Sequence, residues 1–576
     1  MTTTSTSSAA SDRAGRRTIR VTLGGLMIGM FLASLDQMIM ATSIRTIGDD
    51  LHGLSSQAWV TTAYLVTSTI ATPLYGKLSD IYGRKPFYLL AISLFLVGSL
   101  LSGTAHSMYQ LAAYRGVQGL GAGGLMSLAF TILGDLVPPR ERARYQGLFL
   151  AVFGTSSVLG PVIGGFFAGA TTILGITGWR WVFLINMPIG IIGLFVIWRV
   201  LHLPPVRRIQ HRIDWPGALA LVVGLVPLLV VAQQGRSWGW TSGRTLGCAS
   251  TGAVGIVVLV LAERAAGRDA LLPLALFRNR TFALGAAANT AVGLGMFGGL
   301  ATLPLYLQIV QGLTPTAAGL SLIPLTAGIM VGSLTAGQLT ARTGRYTIFP
   351  VLGTTLLTVA SLLLARLTAD TSMMTVSADM IVFGAGLGLT MQPLVLAVQN
   401  AVAIEDMGVG TSSCVFFRQV GGALGTAVLL SVLFTGLRAR IADAFDPARS
   451  TVDLGAALAD PSVRADPANR PVLDLLAGGP HAMASMLDDS SFLSRLDPRL
   501  ARPFLVGFAD SMRPVSLLIV VAMVVAIVLT ALLPELPLRD VSGIRARQQA
   551  DAAADVTGSD ATGAVVTAPD VTGSGG

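Results

Sequence analysis

Charge is scarce in this chain. Only 12% of its 576 residues are Asp, Glu, Lys or Arg, roughly half the share in an ordinary soluble protein, while 52% are hydrophobic and mean hydropathy is +0.69. Too few polar side chains remain to coat a series of soluble domains of about 150 residues each, so most of the surface must face lipid. Cysteine is nearly absent as well. Cys248 and Cys414 both lie in apolar stretches, which excludes a disulfide framework, a Cys-based zinc site and an iron–sulfur cluster. Lys77 and Lys85 are the only lysines, and neither stands in a GxxxxGK[ST] phosphate loop, so no Walker-type ATP site exists and any pumping draws on another energy source. The five histidines give no nucleophile–base pair and no metal cluster; neither an enzyme nor a cofactor nor a metal is expected. Net charge is +9 and pI about 10, which in a soluble protein points to nucleic acid. Here the arginines fall in short clusters between apolar runs and form no single stripe, which argues against that partner.

What the chain does have is a succession of apolar runs. With about 20 residues needed per crossing, fourteen spans are expected, near 21–47, 57–76, 87–105, 109–134, 145–170, 181–201, 214–234, 245–262, 281–311, 318–340, 348–366, 377–403, 408–437 and 514–534. The fold class is therefore an all-α polytopic membrane protein. Residues 1–20 are Ser/Thr-rich and then basic, and the run after them is too long for a signal-peptide core; they read as a cytoplasmic tail. Alternate short loops carry Lys77, Arg84 and Lys85; Arg140, Arg142 and Arg144; Arg207, Arg208 and Arg212; Arg264, Arg268, Arg278 and Arg280; Arg342 and Arg345. The excess of basic residues on that side places both termini in the cytoplasm and the protein in the inner (plasma) membrane. Residues 438–513 read as an extracytoplasmic excursion with short amphipathic helices near 480–508, and 541–576 as a disordered cytoplasmic tail.

An internal repeat organises the rest. Gly76-Lys77-Leu78-Ser79-Asp80-Ile81-Tyr82-Gly83-Arg84-Lys85 follows the second span, and Gly337-Gln338-Leu339-Thr340-Ala341-Arg342-Thr343-Gly344-Arg345-Tyr346 follows the tenth, with Gly, Leu, Gly and Arg at matching positions. That spacing implies two six-helix bundles, 21–201 and 281–534, separated by two additional spans in 214–262, meeting at a midplane cavity as in many secondary transporters. Gly76 and Gly83 permit a tight turn against a neighbouring helix, and Asp80 among basic residues reads as a latch between bundles, beside the plainer role of a basic loop that fixes topology.

Asp36 lies about 22 Å into the first span at 1.5 Å per residue. A carboxylate there costs at least about 2.5–3.5 kcal/mol unless it faces a cavity, finds a partner or carries a proton. It shares a face with Gly25, Gly29 and Ala33, which points to packing beside a cavity. Burial favours its protonated form and a neighbouring cation its ionised form, the opposing pulls that let a site load and release a proton; the alternative is a structural ion pair that never titrates. Arg115, in Arg115-Gly116-Val117-Gln118-Gly119 on the fourth span, is its natural partner. On the fifth span, Ser156, Gly160 and Gly164 recur at i, i+4 and i+8 beside Pro161 and Gly165, a smooth groove for close helix approach. Candidate lining residues are Gln37, Met38 and Met40 in the first half and Tyr306, Gln308, Met391, Gln392, Phe416 and Phe417 in the second, since Met and aromatic side chains repack around varied apolar ligands; for each, a place in the bundle core is the competing role. Arg418 reads either as an anion site or as a partner of Glu405 or Asp406.

Taken together these motifs resemble the major facilitator superfamily, and within it the 14-span drug:proton antiporters of the EmrB/QacA type. The likeness covers about 21–437 and 514–540. Gly76–Lys85 looks like the superfamily's loop motif, Arg115–Gly119 like its fourth-span motif, and Gly160-Pro161-Val162-Ile163-Gly164-Gly165 like the fifth-span antiporter motif. Leu35-Asp36-Gln37 and Trp179-Arg180-Trp181-Val182-Phe183-Leu184-Ile185-Asn186-Met187-Pro188-Ile189-Gly190 resemble signatures of the 14-span branch. The resemblance implies proton-driven efflux of lipophilic, often cationic compounds, drugs or antibiotics, with Asp36 as the proton or cation site and Arg115 as its relay partner. Three departures stand out: Ser43-Ile44-Arg45 replaces the family's Ala-Leu-Pro, Ser156 replaces a frequent glycine, and 438–513 is long. Arg45 adds positive charge that disfavours cationic substrates or repartners Asp36. Export of one dedicated metabolite, lipid or self-made antibiotic is the alternative on this fold, and a non-transporting scaffold or sensor the third. The expected partners are a small-molecule substrate, protons and the lipid bilayer; no protein partner is legible.

Overall fold

The computed structural model describes residues 4–53, 56–201, 214–267, 269–445, 454–470, 472–474, 496–539 and 542–543. Most of the expected amphipathic segment near 480–508, and nearly all of the expected tail 541–576, lie outside these residues. The N-terminal bundle contains α1 (Thr4–Asp50), α2 (Gln57–Tyr82), α3 (Arg84–Gly103), α4 (Met108–Leu136), α5 (Pro139–Gly169), the short α6 (Trp181–Leu184) and α7 (Asn186–Val200). Next come α8 (Trp215–Trp238) and α9 (Gly243–Ala266). The C-terminal group contains α10 (Arg280–Ile309), α11 (Pro315–Leu320), α12 (Ile323–Thr343), α13 (Ile348–Leu364), α14 (Met373–Ala401), α15 (Met407–Phe445), the short α16 (Leu454–Ala459) and α17 (Pro461–Ala465), and α18 (Pro498–Ala531).

Among the described residues, twelve helical stretches are long and apolar enough to cross a membrane. Two helices on expected spans fall outside that count: α2, which is rich in Thr and Ser, and α13, which is apolar but only 17 residues long. The 438–513 stretch is narrower than expected, because helix enters it from both sides. On α15, Leu437, Ile441 and Phe445 continue an i, i+4, i+8 stripe, and on α18 Leu500, Phe504 and Phe508 do the same; all six are buried in one core cluster. The Phe445 and Phe504 rings meet edge to face at 5.1 Å. At the first turn of α18, Arg499 bridges Asp460 and Asp497, at 3.1 Å to each. Hydrogen bonding, chiefly from Ser462, holds the Asp460 carboxyl below the ordinary carboxylate range. One departure from all-helical structure is a hairpin pairing Thr172–Ile173 with Ile176–Thr177. Leu174 and Gly175 at its tip both have positive φ, the requirement of a two-residue turn whose twist matches the strands.

The two ends of the repeat behave alike. Gly83 terminates α2 with φ +98° and Gly344 terminates α12 with φ +74°, conformations that glycine adopts without a Cβ penalty. The surroundings are also paired: α2 packs against α15 across the seam between bundles, and α12 packs against α5. On α5, Gly147, Gly154 and Pro161 lie at i, i+7 and i+14 and face Ser333, Thr326 and Gly319 of the other bundle, while Gly160 and Gly164 face Met38 and Ile39 of α1. The fifth-span motif therefore serves two close contacts at once. A Cβ on Gly164 comes within 2.9 Å of the Ile39 carbonyl oxygen, so Gly164→Val is expected to force α1 and α5 apart at a cost of about 1–3 kcal/mol. Thermal unfolding in detergent measures this, and an unchanged midpoint refutes the close approach.

Helices α8 and α9 pack on each other, and α8 lies against the α2–α15 seam. Leu221, Leu225 and Leu259 share an apolar cluster with Val66 and Ile70 of one bundle and Phe416 of the other. At the far end of this hairpin, Trp238 meets Trp59 at 6.0 Å, and the Trp240 indole donates to Ser431 Oγ at 3.2 Å. The extra pair thus touches both bundles.

Candidate functional site

Asp36 is fully buried on α1, and its carboxylate is ion-paired with the Arg115 guanidinium on α4. Residues of α2, α3, α4 and α7 supply the rest of the cluster. Gln118 Nε2 donates to Asp36 Oδ1 at 2.8 Å and to Ser99 Oγ on α3 at 2.7 Å. Asn186 Nδ2, from the first turn of α7, donates to Asp36 Oδ1 at 3.1 Å and to Ser99 at 3.2 Å. Arg115 also donates to Gln118 Oε1 at 2.8 Å, and its guanidinium carbon stands 4.1 Å from the centroid of the Tyr64 ring on α2. The Coulomb attraction, two amide donors to the carboxylate, an amide acceptor for the guanidinium and a π face together offset the desolvation of the charges, as a buried pair requires.

The carboxylate faces the interior of its own bundle and not the space between bundles. The small face that flanks it explains this: Gly25 abuts Ile197 of α7, and Gly29 abuts Leu125 of α4, so the face is spent on close packing. Arg45 is exposed, two and a half turns beyond, and does not replace Arg115. Residue type alone did not single out Gln118, Asn186, Ser99 or Tyr64. Gln118 and Asn186 do lie inside quoted motifs, and a neutral amide within an apolar run was the available signal. The neighbouring Trp179-Arg180-Trp181 fastens the far end: Trp179 donates to Asp50 at 2.8 Å, Arg180 to the Gly103 carbonyl at 2.7 Å and Trp181 to the Ile173 carbonyl at 3.0 Å. This fixes where α7 starts and hence where Asn186 points. Asn186→Ala is expected to cost about 1.5–3 kcal/mol, the worth of a hydrogen bond to a charged group, read as a lowered thermal midpoint; no loss would mean that the bond is not made.

At the opposite end of α2, Asp80 accepts the backbone N–H groups of Gly408 at 3.1 Å and Val409 at 2.9 Å. These belong to the first turn of α15, where N–H groups lack helical partners and the helix dipole favours negative charge. Asp80 is also ion-paired with Arg84, which donates to Asp135 at 2.9 Å and Ser79 at 2.7 Å. Gly76 lets the helices approach: a Cβ there lies 2.9 Å from the Gly408 carbonyl oxygen. Lys85 donates to the Trp198 carbonyl at 2.8 Å. The second repeat has Ala341 in place of Asp80, so the acid is confined to one copy. A parallel tie across the seam runs from Arg142 to Gln399 at 2.6 Å, and from Gln399 to the Phe130 carbonyl at 3.3 Å and Thr411 at 2.9 Å.

The expected lining residues scatter. Tyr306 is fully buried and donates to the Thr368 carbonyl at 2.8 Å, a core position. Phe416 and Phe417 pack beside α8 and Phe277. Met38 abuts Gly160 at the α1–α5 contact. Gln37 and Gln308 are half-buried, and Met40, Met391 and Gln392 are buried. Met and aromatic side chains fill bundle cores as readily as they line cavities, which is why residue type does not separate the two.

The fold and this buried charge centre define a polytopic helical membrane protein of two bundles with a polar cluster inside one of them. A model of the Major Facilitator Superfamily matches residues 26–426, and the chain belongs to that family. It is similar to the multidrug transporter protein MdtP of Bacillus subtilis, at 37% identity over 73% of this chain and 75% of that one. It is also similar to multidrug resistance protein 3 of the same organism, at 34% identity over 75% and 83%. Among solved structures, the proton:xylose symporter XylE shares the fold with a TM-score of 0.55 at 13% identity, over 92% of this chain and 99% of that one.

Proposed function

We propose that this protein is a proton-coupled exporter of lipophilic compounds, drugs or antibiotics, of the 14-span EmrB/QacA type, with α2 and α13 crossing the membrane along with the twelve longer apolar stretches. Both termini face the cytoplasm of an inner membrane, the side on which the basic short loops gather. The similarity to a multidrug transporter and a multidrug resistance protein of Bacillus subtilis supports export, and the buried Asp36–Arg115 pair carries the proposal of proton coupling.

In this reading a proton from outside neutralises Asp36 and removes the Coulomb attraction that holds Arg115. The guanidinium keeps Gln118 and the Tyr64 face as partners. Tyr64 and Asp80 sit on the same helix, so a shift of Arg115 bears on the helix that latches α15. With Asp80 on the α15 N-terminus and Arg142 on Gln399, the cytoplasmic end is tied shut. Release of these ties as the bundles rock opens the route for a new substrate, and loss of the proton inward resets the pair.

A pH-gradient assay in inverted vesicles tests this. Dissipation of the gradient by several unrelated dyes and antibiotics is expected. A response to one compound alone moves the reading to a dedicated exporter, and no response across the panel overturns export by proton exchange.

A further inference from the structure

Gln399 on α14 and Thr411 on α15 hydrogen-bond to each other at the floor of the seam between bundles, and Gln399 reaches across it to Arg142 and the Phe130 carbonyl. The two helices run antiparallel away from that floor. Seven residues along each, two helical turns and about 10 Å higher, stand Gln392 and Arg418. An interval of seven restores the same helix face, so Gln392 continues the α14 stripe from which Gln399 reaches Arg142, and Arg418 continues the α15 stripe on which Thr411 meets Gln399. Cys414 and Gly421 share the Arg418 stripe and face α14 and α10, and the adjoining stripe of α15 faces the N-terminal bundle. Val415 packs into the N-terminal bundle's core cluster, and Gln419 accepts a hydrogen bond from Thr72 of α2 at 3.3 Å.

Both side chains are buried, with Arg418 9% exposed and Gln392 4%. Neither has a hydrogen-bond or ion-pair partner among the described residues, and Gln392 Oε1 is orphaned. Glu405 and Asp406 do not serve Arg418, since they lie more than three turns away, about 18 Å along the chain. On α10, where Gly293 abuts the Arg418 backbone, Asn289 lies one turn nearer the floor with its Oδ1 also orphaned. A guanidinium at midmembrane depth without an anion is costly, and such residues mark ligand pathways. The buried acids of the other bundle are already taken, because Asp36 is bound by Arg115 and Asp135 by Arg84. Where α10, α14 and α15 meet, the described residues therefore present a buried positive fork and uncommitted amide oxygens on the neighbouring helices, and Met391, Val395 and Val415 supply buried apolar side chains on α14 and α15.

We propose that Arg418 and Gln392 form the head-group subsite for the transported compound, and that this compound is an apolar, singly charged organic acid. The guanidinium binds its carboxylate, and the amide oxygens accept from a neighbouring hydroxyl or N–H. The proposal rests on the reading of this protein as a small-molecule exporter, and it reverses the cationic preference that the family resemblance implies.

Three size-matched fluorescent probes test it on the full-length protein in nanodiscs: 9-anthracenecarboxylate, its neutral methyl ester and the 9-aminomethyl cation. The carboxylate is expected to bind about 10- to 100-fold more tightly than the ester, the scale of a charge-assisted hydrogen bond, and the cation most weakly. Arg418→Gln is expected to bring carboxylate and ester to equal affinity with ester binding retained, and Arg418→Lys to keep part of the preference. An ester bound as tightly as the carboxylate by the wild type overturns the proposal, as does an Arg418→Gln protein that binds the carboxylate unchanged. If Arg418→Gln does not fold, the wild-type ranking decides alone. Displacement of the probe by chloride as readily as by benzoate also overturns it, in favour of an inorganic anion. The vesicle assay separates the two readings: charge-ranked binding without gradient dissipation removes export and leaves the subsite, whereas dissipation by the ester and cation but not the carboxylate does the reverse.

Discussion

Asp36→Asn is expected to abolish gradient-driven export while the bundles still assemble, and to lower stability by about 3–5 kcal/mol, the cost of leaving one partner of a buried ion pair uncompensated. The stability loss follows from geometry: Arg115 is 2% exposed, and its remaining partners, Gln118 and the Tyr64 ring, are neutral. Pairing the change with Arg115→Gln removes the orphaned charge, so the double variant is expected to recover thermal stability but not proton coupling. Thermal unfolding and the vesicle assay read the two effects separately. Wild-type export by Asp36→Asn takes this carboxylate out of the coupling mechanism. Arg115→Lys is not a mild change either, because an ammonium lacks the planar fork and the ring stacking that Arg115 combines here.

The second large effect is expected at Asp80. Asp80→Asn removes the negative charge from the N-terminus of α15 and from Arg84, which retains Asp135. A charge at a partly buried helix terminus contributes up to about 2 kcal/mol, which corresponds to about a 30-fold shift in a two-state equilibrium. Ser412, buried beside Gly76 at this seam, reports the shift. With Cys248 and Cys414 replaced by Ser, a cysteine introduced at Ser412 is expected to react with a maleimide about 30-fold faster in the Asp80→Asn background. Equal rates in the two backgrounds show that the contact does not hold this end closed.

The difference between legible and hidden residues has a physical pattern. Asp36 and Arg115 stood out because a charge inside an apolar run has a large cost that must be met somewhere. Ser99, Gln118, Asn186 and Tyr64 did not, because a neutral polar group can be satisfied locally and carries no comparable demand. Tyr306 and Phe417 were candidates for a cavity and lie in packed surroundings, since an aromatic ring suits either place. The extension of α15 and α18 into the 438–513 stretch was readable in the spacing of Leu437, Ile441 and Phe445 and of Leu500, Phe504 and Phe508. A search for long apolar runs overlooks it, because these turns are amphipathic and not uniformly apolar.

Composition and periodicity by themselves determined that this is a helical membrane protein, where its helices fall, and that a ten-residue loop motif occurs twice, because lipid demands long apolar segments with internally satisfied backbones. They also named one acid and two arginines whose burial needed an explanation. Only the tertiary structure decided the pairings: that Asp36 is held by α4 and α7 of its own bundle, that Asp80 caps a helix of the other bundle, and that Arg418 has no counter-charge among the described residues. A sequence states each group's desolvation cost, but which neighbour offsets that cost depends on contacts between residues 79 to more than 300 positions apart along the chain.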